Sequence, residues 1–308
     1  MSIARWLVLT LGPFVIVGSS YWISKPEIRP PGDERADAAQ RRPACSRPRV
    51  SEEACRKRGR ELKAKLGPEF PIVVGAPYVL AGDISRRRLD GLLHDFVRPI
   101  DRALHTCYFD RRPTEPIVIL ALSDDAAYHK YARLFDGKSR ARYSGYYRRG
   151  DRRIVLNLAT GHGTLAHELT HALAAFDAPH LPEWFDEGLA SLHEESRFSD
   201  DGLRLVGRPN WRGNYLKAAL SGGRLPSLRA LVQTRNIRGD REAVLYALSR
   251  YFCLYLQHRQ LLAHYYRKLK RNADTDPTGR TALRELLHAE TLDGVERDFR
   301  AWLVQTLK

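Results

Sequence analysis

Apolar residues return along this chain at two spacings, and the switches between them mark out its elements. Residues 24–50 carry proline and charge with almost nothing apolar before Val50, a composition that predicts a linker. Ser51 is placed to cap a helix to about Leu66, closed by Gly67-Pro68, and 70–74 and 78–80 read as short strands. From Asp83 to about His105, Leu89, Leu92, Leu93, Phe96, Val97, Ile100 and Leu104 recur at helical spacing, with a kink predicted at Pro99. The β-branched run 117–120 predicts a buried strand, and Ser123-Asp124 a capped helix after it. Segments 143–148 and 152–158 read as a hairpin turning at Gly150-Asp151. Beyond about Pro182 the spacing is helical, with strong stripes in 241–270 and 281–307. The expectation is an α+β domain over 51–308: a small mixed sheet within a part reaching about residue 180, then a mostly helical part over 181–308.

One of these helices carries chemistry. Thr164 to His171 reads Thr-Leu-Ala-His-Glu-Leu-Thr-His, an HExxH pattern whose histidines, four apart, stand one above the other on a single helical face. At 3.6 residues per turn they lie about 40° apart, nearly opposite the stripe formed by Leu165, Leu169, Leu173 and Phe176. One side of the helix therefore packs on a core while His167 and His171 face a cleft or a neighbouring element. Thr164 is the expected N-cap. Glu168 borders the histidine side, where a carboxylate can take a proton from water.

Catalytic zinc takes three protein ligands and leaves a position open, so a third donor is required. Glu187 supplies it in Leu-Pro-Glu-Trp-Phe-Asp-Glu-Gly-Leu-Ala, 181–190, where Pro182 starts a helix whose buried side holds Trp184, Gly188 and Leu192. Gly188 is expected to let this helix approach the first. Asp177 competes for the third place by spacing, but the glycine of the longer HExxHxxGxxH/D pattern is Ala174 here. Glu183, in the first turn, is explained by the helix dipole. His162, His180 and His193 are lone histidines, a kind more often structural than ligating.

With HELTH at 167–171 and WFDEGLA at 184–190, the chain resembles the gluzincins, zinc peptidases of the thermolysin and aminopeptidase N kind. It is especially similar to small bacterial gluzincin-like domains in which a hairpin such as GYYRRGDRRIVLNL, 145–158, precedes the metal helix. The likeness extends weakly over roughly 70–305, through Tyr246-Ala247-Leu248-Ser249 and a C-terminal pattern from Val295 to Leu303. The resemblance implies a zincin-like fold, one zinc ion on His167, His171 and Glu187, and Glu168 as general base. It also implies an edge strand in the 143–158 hairpin that receives extended peptide. Gluzincins supply a Tyr or His to the oxyanion; Tyr246 is the candidate here, with a core tyrosine as the other reading. The implied activity is hydrolysis of peptide bonds in a peptide or protein substrate. A catalytically silent zinc-binding envelope scaffold or binding module is the alternative.

Composition adds a setting. Arg5 precedes a charge-free, mostly apolar run from Trp6 to Ile23, about 27 Å long as a helix. It reads as an export signal cut near Gly18-Ser19-Ser20 or as a retained membrane anchor over 1–23, and Tyr21-Trp22 favours retention. Both place the remainder outside the cytoplasm, at the periplasm or cell surface. Cys45, Cys55, Cys107 and Cys253 suit disulfides there, with Cys45–Cys55 the short-loop pairing and buried thiols an alternative for the other two. A net charge of +15 favours anionic lipid or cell-wall polymer, unless it is simply a solvated surface. No nucleic-acid-binding motif accompanies it.

Overall fold

Period-two alternation in the strands divides the apolar side chains between two cores. The computed structural model describes residues 50–137 and 143–308, all within one compact unit, Cys45–Lys308. The apolar run 6–23, the linker to residue 49 and the Cys45–Cys55 pairing lie outside the described residues. Ser51 accepts a hydrogen bond from the Ala54 N–H and opens α1 (Glu52–Leu66). Strands β1 (Ile72–Gly75), β2 (Tyr78–Gly82), β3 (Ile117–Leu122), β4 (Gly145–Arg148) and β5 (Arg153–Asn157) form a sheet in the order β1-β2-β3-β5-β4. The outer pairs are antiparallel and the inner two parallel, so the sheet is mixed and the fold α+β. Val79, Ala81, Val118, Leu120 and Val155 point into a core with Cys55, Leu62 and Tyr128. Tyr78, Leu80, Ile117, Ile119, Ile154 and Leu156 point the other way, into the large core that also holds Leu165, Leu169 and Leu173.

Two local expectations change in detail. The helix over 83–105 is three segments: α2 (Arg86–Gly91), a π-helical stretch Leu92–Val97, and α3 (Arg98–Cys107). Pro99 has no N–H and its ring crowds the carbonyl four residues earlier; the chain meets this by widening, with the Arg98 N–H reaching the Leu93 carbonyl. The hairpin does not turn on Gly150-Asp151 alone. A 3₁₀ turn, Arg149–Asp151, is followed by Arg152 at φ 52°, so the loop is four residues and β5 starts at Arg153.

After α4 (Asp125–Asp136) and the hairpin come α5 (Gly163–Asp177) and α6 (Glu183–Glu194), then a small ribbon, β6 (Ser196–Phe198) with β7 (Leu205–Gly207). The rest is helical: α7 (Gly213–Ser221), α8 (Leu228–Gln233), α9 (Glu242–His258), α10 (Leu262–Arg271), α11 (Arg280–Leu286) and α12 (Leu292–Thr306). Helix α9 is buried on every side from Leu245 to Leu256, as a central core helix must be. Helix α6 lies against both α5 and α9.

The close approach at Gly188 is to α9, not to α5. A Cβ at Gly188 would sit 2.8 Å from the Ser249 carbonyl oxygen and 2.9 Å from Cys253 Sγ. The glycine that lets α5 meet α6 is Gly163, where a Cβ would fall 2.6 Å from the Glu194 carbonyl oxygen. Among the described residues Cys55, Cys107 and Cys253 are free thiols, and no helix is long and apolar enough to cross a membrane.

Candidate metal centre

Helix α5 begins two residues earlier than its sequence suggests. The cap position falls to His162, which makes no side-chain cap bond, so Thr164 lies inside the first turn. Leu165, Leu169 and Leu173 are buried as the stripe requires, with Phe176 half-buried beside them. Opposite them, His167 and His171 face α6, and their Nε2 atoms are 3.0 Å apart. Glu187 Oε2 lies 3.4 Å from His167 Nε2 and 3.3 Å from His171 Nε2.

This triangle has the dimensions of a site for one metal ion. Bonds of about 2.0–2.1 Å at tetrahedral angles place neighbouring ligand atoms about 3.3 Å apart. The side chains are almost wholly buried, and apart from the two imidazoles Glu187 Oε2 meets no hydrogen-bond donor. A buried carboxylate oxygen left this way requires positive charge beside it, from a metal ion or from protons on the two imidazoles. His167, His171 and Glu187 therefore fit a divalent ion.

Carboxylates set the outer nitrogens. His167 Nδ1 is 2.9 Å from Glu194 Oε1, and His171 Nδ1 is 3.1 Å from Asp186 Oδ2, which leaves each Nε2 directed at the common point. Arg212 clamps Glu194 with two bonds, Nε at 3.1 Å and Nη2 at 2.9 Å. Glu187 Oε1 accepts from Arg238 Nη2 at 3.2 Å.

Without a metal, these acids hold protons on the imidazoles. Burial pulls His167 down, yet Glu187 and Glu194 overcome it and raise it to about 9. His171 is driven well above the usual histidine range, burial again being outweighed, here by Asp186 and Glu187. Glu187 is held well below the carboxylate range: burial opposes this and the two imidazoles win. Glu194 falls to about 2, with His167 and Arg212 outweighing its burial. The pocket is built to attract positive charge.

Glu168 behaves differently. It is buried, in the field of both histidines and Glu187, and bonded to the main chain of Tyr147 on β4. Burial prevails and raises it above the ordinary carboxylate range, which makes it a better base. Strand β4 is the sheet edge. Because the Asn157 N–H donates to the Ser144 carbonyl, the alternation of an antiparallel pair turns the peptide groups of Gly145 and Tyr147 away from β5.

Tyr246, on α9, is also brought to this group. Its phenol is raised first by burial and then by the charge of Glu187, and the Arg212 guanidinium lies 5.8 Å from its ring centre. Asp177 is elsewhere: it accepts from the Asp110 and Arg111 N–H groups, the Tyr266 hydroxyl and Lys270 Nζ, a buried structural tie. His193 packs 5.7 Å from Tyr108, and burial beside Arg250 lowers it to about 3. Glu183 accepts the Ile237 N–H at 3.3 Å, so it fastens the 234–241 loop besides facing the helix dipole.

Sequence spacing pointed to three ligand positions and one base but missed Asp186, Glu194, Arg212 and Arg238. Asp186 stands beside Glu187 and was within reach of inference; the other three depend on tertiary contacts across 18 to 51 positions. The chain matches no family model and no curated protein.

Proposed function

We propose that this chain is a zinc-dependent metallopeptidase of gluzincin type with a zincin-like fold, acting on peptide or protein substrates. The observation that carries the proposal is the convergence of His167 Nε2, His171 Nε2 and Glu187 Oε2 within 3.4 Å of one another, with Glu168 in their field. A zinc ion in this place supplies a Lewis acid that polarises a carbonyl and makes water nucleophilic near neutral pH.

The protein's own groups do the rest. Glu168, raised by burial, takes the proton of the attacking water and delivers it to the leaving amine nitrogen. On the outward side of β4 the Tyr147 N–H is bonded to that base, which leaves the Tyr147 carbonyl and the Gly145 peptide group as antiparallel partners for a substrate backbone. To Tyr246, neutral across the ordinary pH range and next to Glu187, we assign donation of its O–H to the developing oxyanion. On the apolar run 6–23 we assign the enzyme to the outside of the cytoplasm, anchored to or released from the membrane, with cationic contact to anionic lipid or wall polymer.

Purified full-length protein incubated with casein tests this reading. Cleavage that a chelator stops and added zinc restores is the expected result. A zinc-bearing preparation that leaves casein and a wider protein library intact favours a silent zinc-binding scaffold instead.

A further inference from the structure

Glu187 divides its two oxygens between different partners. Oε2 belongs to the histidine triangle, while Oε1 is taken up by Arg238 Nη2 at 3.2 Å. Arg238 comes from the loop between α8 and α9, and that loop is tied down. The Ile237 N–H is bonded to Glu183 Oε2, and Arg238 Nε lies 3.8 Å from Glu183 Oε1. Arg238 Nη1 donates to the Tyr143 hydroxyl at 3.1 Å, and that hydroxyl donates to Glu242 Oε1 at 3.3 Å. The Tyr143 ring also lies 5.6 Å from the guanidinium carbon. A planar fork held by hydrogen bonds to Tyr143 and Glu187, with a longer ion pair to Glu183, therefore presents one N–H to one particular oxygen of the metal-facing carboxylate.

A carboxylate whose two oxygens are both free can close on a metal with both and fill the position that substrate and water need. We infer that Arg238 is a positioning residue that keeps Glu187 Oε1 off the metal, so that Glu187 binds through Oε2 alone and a coordination position stays open. The inference rests on the zinc reading above and adds a role that neither HExxH nor its downstream Glu implies. Charge alone predicts a change in affinity only: a guanidinium beside a dication repels it, so removing Arg238 tightens metal binding. A positioning role predicts an altered coordination sphere, since a second Glu187 oxygen reaches the metal once Oε1 is released.

The full-length wild type and Arg238→Met are compared for zinc affinity by chelator competition and for the visible spectrum after cobalt(II) replaces zinc. A tetrahedral cobalt(II) site absorbs strongly and loses intensity when a further oxygen binds, so the Met variant is expected to keep its metal and lose intensity in the cobalt band. An unchanged cobalt spectrum overturns the inference, whichever way zinc affinity moves. Should Arg238→Met fail to fold, Tyr143→Phe removes the acceptor that holds the guanidinium while keeping its charge, and it is expected to dim the cobalt band in the same way but less; no loss of intensity overturns the inference. A wild type that takes up neither metal removes the zinc reading and this inference with it.

Discussion

Glu168→Gln is expected to keep its zinc and lose hydrolysis of casein by at least 10²-fold, and by as much as about 10⁴-fold, the range that a general base contributes. The substitution preserves shape and removes the site that accepts the proton. It leaves the ligand atoms of His167, His171 and Glu187 untouched. Because burial penalises the ionised Glu168 carboxylate, a neutral amide there is expected to leave the melting temperature equal to or above that of the wild type. Activity, zinc content and melting temperature from one preparation check all three points. A Gln variant with undiminished, zinc-dependent cleavage removes Glu168 from the mechanism.

Zinc is expected to stabilise the protein strongly, and more so as pH rises. At a thousandfold excess over its dissociation constant a ligand adds about 4 kcal/mol, roughly 10 °C in melting temperature for a domain of this size. The pH dependence follows from the imidazoles. In the zinc-free protein His167 is raised to about 9 from 6.5, so its favourable pairing is fully present below pH 6.5 and is lost as pH climbs through 9. His171, held well above the usual histidine range, and Glu168, also raised, act with the same sign. Glu187, held well below 4.5, contributes stability that stays intact over this window. Zinc-free protein therefore loses stability between pH 6.5 and 9, whereas the increment from zinc, which needs both Nε2 atoms deprotonated, grows across it. Thermal melts with zinc and with chelator at several pH values show whether the two curves diverge. Parallel curves separate the metal from these histidines.

Local and periodic features were legible before any coordinates, because they are written in nearest neighbours. The α1 cap at Ser51, the alternating strands, the burial of Leu165, Leu169 and Leu173, and the shared face of His167 and His171 all follow from spacings of two to four residues. Features set by distant packing were not. Gly188 was rightly a close-approach glycine, yet its neighbour is Ser249 on α9; Gly163 makes the α5–α6 approach and brings the start of α5 forward past Thr164. The widening around Pro99 and the four-residue hairpin loop are backbone adjustments for which the sequence offers several equivalent solutions. Glu194, Arg212 and Arg238 read as ordinary surface charges until the fold places them behind His167 and Glu187. Outer partners of a metal site carry no fixed spacing, since any element that reaches the ligand can supply them.

The account stands on one ion shared by three side chains, and zinc stoichiometry measures that directly. Full-length wild type, loaded with zinc and then exchanged into metal-free buffer, should retain one zinc per chain, while His167→Ala and Glu187→Ala, shown to be folded, should retain almost none. A zinc-free wild type, or a Glu187→Ala variant that holds as much zinc as the wild type, contradicts it.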